Sequence, residues 1–449
     1  MTAIIVFCIL SLLLVCGKIL RTLIPLFQKL YLPSSVIGGL LGLILFTVLG
    51  DKIPSEWSNA IKKIPGFMIN VIFASLFLGA VTPKLKTVFK TSFPQICMGQ
   101  LLAWGQYTIG LGLAGLVFLP FFNINATFGN LLEIGFQGGH GTVGGVAETF
   151  RNFNWEDGIA LGYTVATFGM ISGILIGMVL VNWALKKGHV KAIRTFDDRS
   201  YMERIGVYSE ENRPSAGLQT VFCDSIDSLA FHISLIGIAI LIGFGMLKGM
   251  QYLEFMIAPK ANIRFLKGFP LFPLCMIGGV FLQMFLNKIK IGELVNKDQM
   301  QRLSGASLDF LVVAAVATIQ LKVVADNFIP LLILCICGLA FCVVMVLFVA
   351  PKLLKKDWFE KGIAEFGQAT GVTATGLMLL RTVDPENKTE AASSFGYKQL
   401  IHEPFMGGGL WTALALSLVF TVGWQPIFIL SAVMFAVWGV IAAIIMFKR

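Results

Sequence analysis

The sequence predicts an all-α, polytopic membrane protein. Three features predict it: apolar runs long enough to cross a bilayer, charged residues gathered between those runs, and two glycine-rich segments that fit neither description. Hydrophobic residues make up 56% of the 449 positions and charged residues only 13%, where a soluble globular chain carries roughly a quarter charged. Several runs exceed the roughly 18 residues that cross a hydrocarbon core as a helix. A β-barrel would show weak alternating segments of about ten residues instead, so the spans are helical. Spans are expected near 2–20, 34–50, 64–82, 94–120 and 159–185, then near 226–247, 270–287, 304–325, 330–350, 395–422 and 426–447. The first has no basic residues ahead of its apolar stretch and reads as a retained helix, not a cleaved leader. Segments 130–150 and 362–382 are too interrupted to span as ordinary helices.

Charge supplies the punctuation and the orientation. The net charge of +10 does not point to nucleic acid, because no basic segment is interleaved with aromatics as a single-strand binder requires. Basic clusters instead follow alternate spans: Lys18, Arg21 and Lys29; Lys84, Lys86 and Lys90; Lys186, Lys187, Lys191 and Arg194; Lys288, Lys290, Lys297 and Arg302; Lys352, Lys355, Lys356 and Lys361. All five lie in the cytosol if the N-terminus is outside, and Lys448 and Arg449 then end inside. The loop carrying Lys248, Lys260, Arg264 and Lys267 dissents. Residues 186–225, with mixed charge from Asp197 to Glu211, read as a cytosolic linker. Seven of the eight cysteines (Cys8, Cys16, Cys97, Cys275, Cys335, Cys337 and Cys342) sit in spans without zinc spacing, and read as small apolar packers.

The count implies a repeat. Residues 1–185 hold five spans and one glycine-rich segment after the fourth; residues 226–422 hold the same. Five spans per half give the halves opposite orientation, a hallmark of many secondary transporters. Residues 423–449 form an additional helix. Direct similarity is faint: an offset of 230 pairs Phe136 with Phe366, Gly141 with Gly371 and Arg151 with Arg381.

Chemistry concentrates in the two leftover segments. The first runs from Glu133 to Glu148 through Gly138-Gly139-His140-Gly141-Thr142. Non-helical backbone at membrane depth survives only where protein or a water-filled cavity surrounds it, which a re-entrant hairpin satisfies. Its second arm would begin near Thr142 and aim free N–H groups and a positive dipole end at the midplane, where an anionic carboxylate is the natural ligand. The second segment, Gly367 to Gly376, would enter from the cytosol; Gln368, Thr370, Gly371, Thr373 and Thr375 offer neutral donors and acceptors suited to Na⁺ or a polar substrate. The plainer reading of both is close helix packing by small residues, and Gly135/Gly139 and Gly141/Gly145 have that spacing. His140 is a ligand contact or a structural hydrogen-bonding histidine. Asp309 is a functional group or a salt-bridge partner at the cytosolic end. Arg151 and Arg381 attract carboxylates or anchor the interface. His402 and Glu403, ahead of Pro404 and Gly407–Gly409, suggest a broken helix. No nucleophile motif, metal-ligand spacing or phosphate loop occurs, so ATP-driven pumping is unsupported and an ion gradient must supply the energy.

These segments resemble the bacterial sodium/glutamate symporter family. The resemblance is carried by Gly138-Gly-His-Gly-Thr142, by Ala166-Thr-Phe-Gly169 with Gly173 and Gly177, and by Gly371-Val-Thr-Ala-Thr-Gly376, and the order of elements agrees over about residues 1–420. It implies a Na⁺-coupled symporter of glutamate or a related small carboxylate or amino acid, not an enzyme, working by alternating access. It also implies a homodimer in the bacterial cytoplasmic (inner) membrane. Substrate would bind between the hairpin tips at Gly138–Thr142 and at Gln368, Thr370, Gly371 and Thr373, with Arg381 nearby. Na⁺ would sit on carbonyls and on Ser75, Ser304, Ser307, Asp309 and Thr375. The chain departs from the family pattern where Gly367-Gln368 stands in place of an expected Gly-His, and in the acidic Glu148, Asp309 and Glu403, which leaves H⁺ as an alternative coupling ion. Rival readings are a channel with a glycine filter and a membrane-embedded enzyme using His140, Glu148 and His402.

Overall fold

The computed structural model describes residues 1–80, 85–122, 124–190, 200–257, 266, 269–385 and 388–447, without the side chains of 51 and 85–91. Lys84, Lys191, Arg194, Lys260, Arg264, Lys267, Lys448 and Arg449, and the side chains of Lys86 and Lys90, therefore lie outside the described residues. Every regular element among the described residues is helical.

The chain runs through α1 (Thr2–Leu23), α2 (Ser34–Leu49), α3 (Ile64–Ser75) and α4 (Leu85–Leu113), the last continuing through a π-helical turn at Ala114–Phe118 to Phe122. Next come α5 (Leu131–Phe136), α6 (Gly139–Asn152), α7 (Asp157–Lys186) and the short α8 (Tyr201–Ile205). The second half holds α9 (Ser228–Ile257), α10 (Phe272–Lys288), α11 (Lys297–Ala317) and α12 (Phe328–Val344), which continues through a second π-helical turn at Met345–Val349 to Leu354. The chain closes with α13 (Trp358–Val383), α14 (Ala391–His402), α15 (Leu410–Val422) and α16 (Trp424–Phe447). Among the described residues, 7 stretches are long and apolar enough to cross a membrane: α1, Ser92–Phe122 of α4, α7, α9, α11, Phe328–Leu354 of α12, and α16. Apolar side chains exposed along α1 (Ile4, Phe7, Leu12) and α16 (Val433, Val440, Ile444) have lipid as their natural solvent, because a water-soluble monomer rarely exposes so large an apolar face. The protein is a multi-pass membrane protein.

Several boundaries differ from expectation for local reasons. The third span stops at Ser75, not near 82, because the chain leaves the helix and turns at Gly79, whose positive φ of 70° and N–H bond to the Gln283 side chain (2.8 Å) fix the exit. The eighth starts at Lys297, not 304, because the Asn296 side chain caps it by accepting from the Gln299 N–H (3.0 Å), as a good N-cap does. The tenth is two helices. α14 ends at His402 and α15 begins at Leu410 across Pro404 and Gly407–Gly409, the break those residues had signalled.

The glycine-rich segments are broken helices. α5 and α6 are separated at Gln137–Gly138, and Gly139 takes a φ of 66°, a conformation that glycine adopts without steric cost. The break falls three residues before the Thr142 expected from sequence. α13 is interrupted at Gly371 (φ −149°, ψ 39°) and Val372 (φ 62°, ψ 174°). Val372 occupies a region that is essentially glycine-only, a strain of about 1–3 kcal/mol that surrounding packing must hold in place.

Packing brings these breaks to the centre. α3 lies against α11; α2 also packs on α11 and α10 on α3; α1 packs on α2 and α9 on α10. α7 lies along α5, α6 and α13, and its Gly169 and Gly173 leave just enough room for Thr370 of α13. α4 packs on α14 and α16. Phe73, Phe136, Val143, Phe272 and Leu311 share the main apolar core around the first break.

Candidate functional site

Three helix breaks converge. A side chain on Gly139 would run into Val372, so the first and second breaks face each other directly. The α14–α15 break closes on the first: the Gly407 N–H donates to Glu133 Oε1 at 2.7 Å, and Gly408 lies against Thr142.

Around the first break, His140 is buried in the opening turn of α6. Its Nε2 lies 2.9 Å from the Thr167 hydroxyl and its ring is stacked on Tyr163 at 6.3 Å. The Thr167 hydroxyl gives its one proton to the Tyr163 carbonyl (2.9 Å), so it accepts from His140. Nε2 therefore carries the hydrogen, and Nδ1 is an acceptor. The Thr142 hydroxyl donates to the Gly138 carbonyl (2.9 Å) across the break. His402 of α14 bridges Gln137 Oε1 (3.2 Å) and Gln100 on α4 (3.3 Å). Because the Gln100 oxygen accepts from Trp104, its amide N–H₂ donates to His402 Nδ1, and His402 Nε2–H donates to Gln137. Glu133, fully buried on α5, accepts three hydrogen bonds: from Tyr107 (2.7 Å), from Gly407 N–H, and from Thr412 (3.0 Å).

At the second break, Gln368 accepts a hydrogen bond from the Lys398 ammonium on α14, and Thr373 accepts one from the Gln399 amide. Lys398 forms an ion pair with Glu365 at 2.9 Å, both side chains 1% exposed. Gln95 on α4 donates to the other Glu365 oxygen (3.1 Å), and Gln106 donates to the Ala369 carbonyl (2.6 Å).

Of the residues expected to bind substrate, the structure gathers Gly138, Gly139, His140, Gly141, Thr142, Gln368, Gly371 and Thr373 at the facing breaks. The Thr370 hydroxyl is spent on the Phe366 carbonyl of its own helix (2.8 Å). Arg381 is exposed at the far end of α13, away from this group. The expected ion ligands are dispersed. Thr375 is buried on α13 beside Gly371. Ser75 and Ser304 line one cavity of about 370 Å³ with Gln399 and Glu403. Ser307 lies farther along α11, followed by Asp309 on the same helix, which packs against α2.

A second cavity, of about 760 Å³, is lined by Lys62, Lys63, Gly144, Arg151 and Tyr163 among others. It reaches the ring stacked on His140. The two cavities sit at opposite ends of α3 and α11: the larger touches Lys63 and Thr318, the smaller Ser75 and Lys297.

Lys398, Glu365, Gln95, Gln399 and the Glu133–Tyr107–Thr412 group were missed in the sequence. The available signal was that ionisable residues within spans are functional suspects by default; Lys398 qualifies, in the span expected near 395–422, and Glu365 lies in the second glycine-rich segment.

The arrangement offers helix-terminal N–H groups, neutral side-chain amides and hydroxyls, and one buried ion pair, with two separate cavities at its ends. No curated protein matches the chain. Residues 1–385 match the model of the family described as sodium/glutamate symporter, which takes in both glycine-rich breaks, and the chain belongs to the sodium/glutamate symporter family of membrane transporters.

Proposed function

We propose that this transporter couples downhill entry of Na⁺ to uptake of glutamate or a closely related small carboxylate by alternating access, with the two broken segments acting as re-entrant hairpins of inverted repeats. The observation that carries this reading is the meeting of Gly139 and Val372 between two cavities at opposite ends of α3 and α11. Substrate reaching the breaks from one cavity meets the first-turn N–H groups of α6, which favour an anion. The amides and hydroxyls of the second break complete the site, and Ser, Thr and carbonyl oxygens take Na⁺. Each net positive charge carried inward gains about 2.3 kcal/mol per 100 mV, so Na⁺ in excess of the substrate's charge drives accumulation.

Support for inverted repeats comes from matched features. α1 on α2 is paralleled by α9 on α10, and α2 on α11 by α10 on α3. Both fourth spans carry a π-helical turn shortly before the broken segment. Aligning the breaks pairs Glu133, Gly135, Gly139 and Gly144 with Glu365, Gly367, Gly371 and Gly376, a tighter correspondence than the offset of 230, which set Gly141 against Gly371. The N-terminus then lies outside, with the larger cavity outward and the smaller one cytosolic, and the working unit is a homodimer.

The deciding experiment is uptake of labelled glutamate into proteoliposomes under an imposed inward Na⁺ gradient, with unlabelled amino acids and dicarboxylates as competitors. Accumulation that collapses when Na⁺ is equalised, with competition by one chemical class, supports the reading. Folded protein that accumulates no member of the panel under a Na⁺ gradient overturns it.

A further inference from the structure

We propose that the Lys398 ammonium is a tethered cation filling a buried oxygen cage that would otherwise bind a mobile monovalent cation of the Na⁺ class.

The cage oxygens come from α13 and α14, and α4 packs against them. Glu365 Oε2 lies 2.9 Å from Nζ, Gln399 Oε1 lies 3.1 Å from it, and Gln368 Oε1 accepts from it as well. Gln368 and Gln399 accept from two of the ammonium's three donors, and Glu365 Oε2 compensates its charge as an ion pair. With a buried carboxylate already paired to it, Lys398 is not an anion receptor as it stands. The Phe395 ring adds its face at 5.7 Å, Glu403 contributes a favourable Coulombic interaction, and His402 follows on the same helix. Lys398 Nζ and Cε lie close against Gly99 on α4, where any side chain would collide with them.

Two further observations point to a cation's place and not merely to a structural ion pair. The Oε1 of Gln95, on a side chain 1% exposed, is buried without a hydrogen-bond partner, while its amide touches Glu365. An unpartnered carbonyl-type oxygen beside a carboxylate is a ready-made cation ligand and an expensive way to build a packing contact. The matching carboxylate also behaves differently. Glu133, at the corresponding place on α5, is satisfied by the neutral donors Tyr107, Gly407 N–H and Thr412, so a buried glutamate here does not need a lysine. Among the described residues, Glu365 is the one of these two carboxylates that is paired with a lysine, and that lysine also bonds Gln368.

This inference deepens the coupled-transport reading: a hairpin that moves with its cation built in couples to fewer mobile ions. The test does not depend on transport. Purified, substrate-free wild type, Lys398→Met, Lys398→Ala and Glu365→Gln/Lys398→Met are melted in detergent in NaCl and in choline chloride at equal ionic strength. The single variants should gain a Na⁺-specific rise in Tm of several degrees over wild type, increasing with the logarithm of Na⁺ concentration as linkage requires. The double variant, which lacks the carboxylate, should lose that gain. In proteoliposomes the Hill coefficient for Na⁺ should rise by about one in a single variant, since each added site raises its ceiling. Single variants whose Na⁺ response equals wild type, or which aggregate in NaCl while the double variant folds, overturn the proposal. So does a double variant that keeps the gain. A wild type that takes up no substrate under a Na⁺ gradient would overturn coupled uptake instead, leaving the melting comparison to decide the cage.

Discussion

At the scale of single residues, the facing breaks set two opposite demands. Gly139 must hold a positive φ and leave space for Val372, so Gly139→Ala adds strain and a collision together. It should abolish uptake and lower Tm, with the backbone contribution alone near 1–3 kcal/mol; normal uptake by a stable Gly139→Ala protein would remove the break from the mechanism. Glu133 tests the polar side of the same junction. Tyr107→Phe strips the donor from Glu133 Oε2 and leaves a fully buried carboxylate oxygen without a partner, a loss of about 1–3 kcal/mol that thermal melting in detergent should register. The helix break within Gly138–Thr142 was legible in the sequence because so many glycines in a membrane chain signal non-helical backbone. Lys398 was not. It sits near the start of an apolar run, where a lysine ordinarily snorkels to the interface, and only the arrival of Glu365, Gln368 and Gln95 from other helices reveals its burial.

At the scale of elements, close approach and capping decide what holds. α7 lies against α13 because Gly169 and Gly173 present no side chain to Thr370. Gly173→Val should push the helices apart and reduce both Tm and uptake, whereas Gly237→Val, at an open position on α9, should do neither. The turn from α13 to α14 depends on Asp384. Burial pushes its carboxyl up, but hydrogen bonds from the Thr389 hydroxyl, the Thr389 N–H and the Lys388 N–H, with the nearby Lys388 charge, together outweigh that and hold it below the usual carboxylate range. A depressed folded-state value contributes stability above the unfolded-state value of about 3.9, and that contribution disappears as pH falls through the folded-state value. Asp384→Asn should therefore cost about 1 kcal/mol at neutral pH and flatten the acid limb of a Tm-against-pH curve; a parallel, undisturbed acid limb would refute the assignment. Element identity was readable from hydropathy, and the α14–α15 break from Pro404 and the following glycines. The exact position of the first break was not, because within Gly138–Gly141 several glycines are equally able to take the left-handed turn, and packing against Val372 selects Gly139.

At the scale of the whole molecule, the two cavities differ in charge as well as size. The larger one carries Lys62, Lys63 and Arg151 against Glu148 and Glu156, with Arg151 already paired to Glu148 at 3.1 Å. That leaves the two lysines at the start of α3 against the single carboxylate of Glu156, so the wall keeps a net basic bias. Fixed charge of one sign at a cavity mouth concentrates the oppositely charged solute and speeds its entry, an effect that salt screens over about 10 Å at 0.1 M. The smaller cavity has Lys297 and Glu403 in balance and has no comparable bias. An anionic substrate entering from the larger cavity should feel the lysines before it touches the breaks. Lys62→Glu with Lys63→Glu should thus raise KM several-fold at low ionic strength, leave kcat unchanged because neither residue reaches the breaks, and converge on wild type as salt increases. The same reversal should leave counterflow initiated from the smaller cavity unaffected. A kcat loss that salt does not relieve would mean that these lysines act in the moving machinery, and entry through the larger cavity would then have to be argued from some other part of its wall.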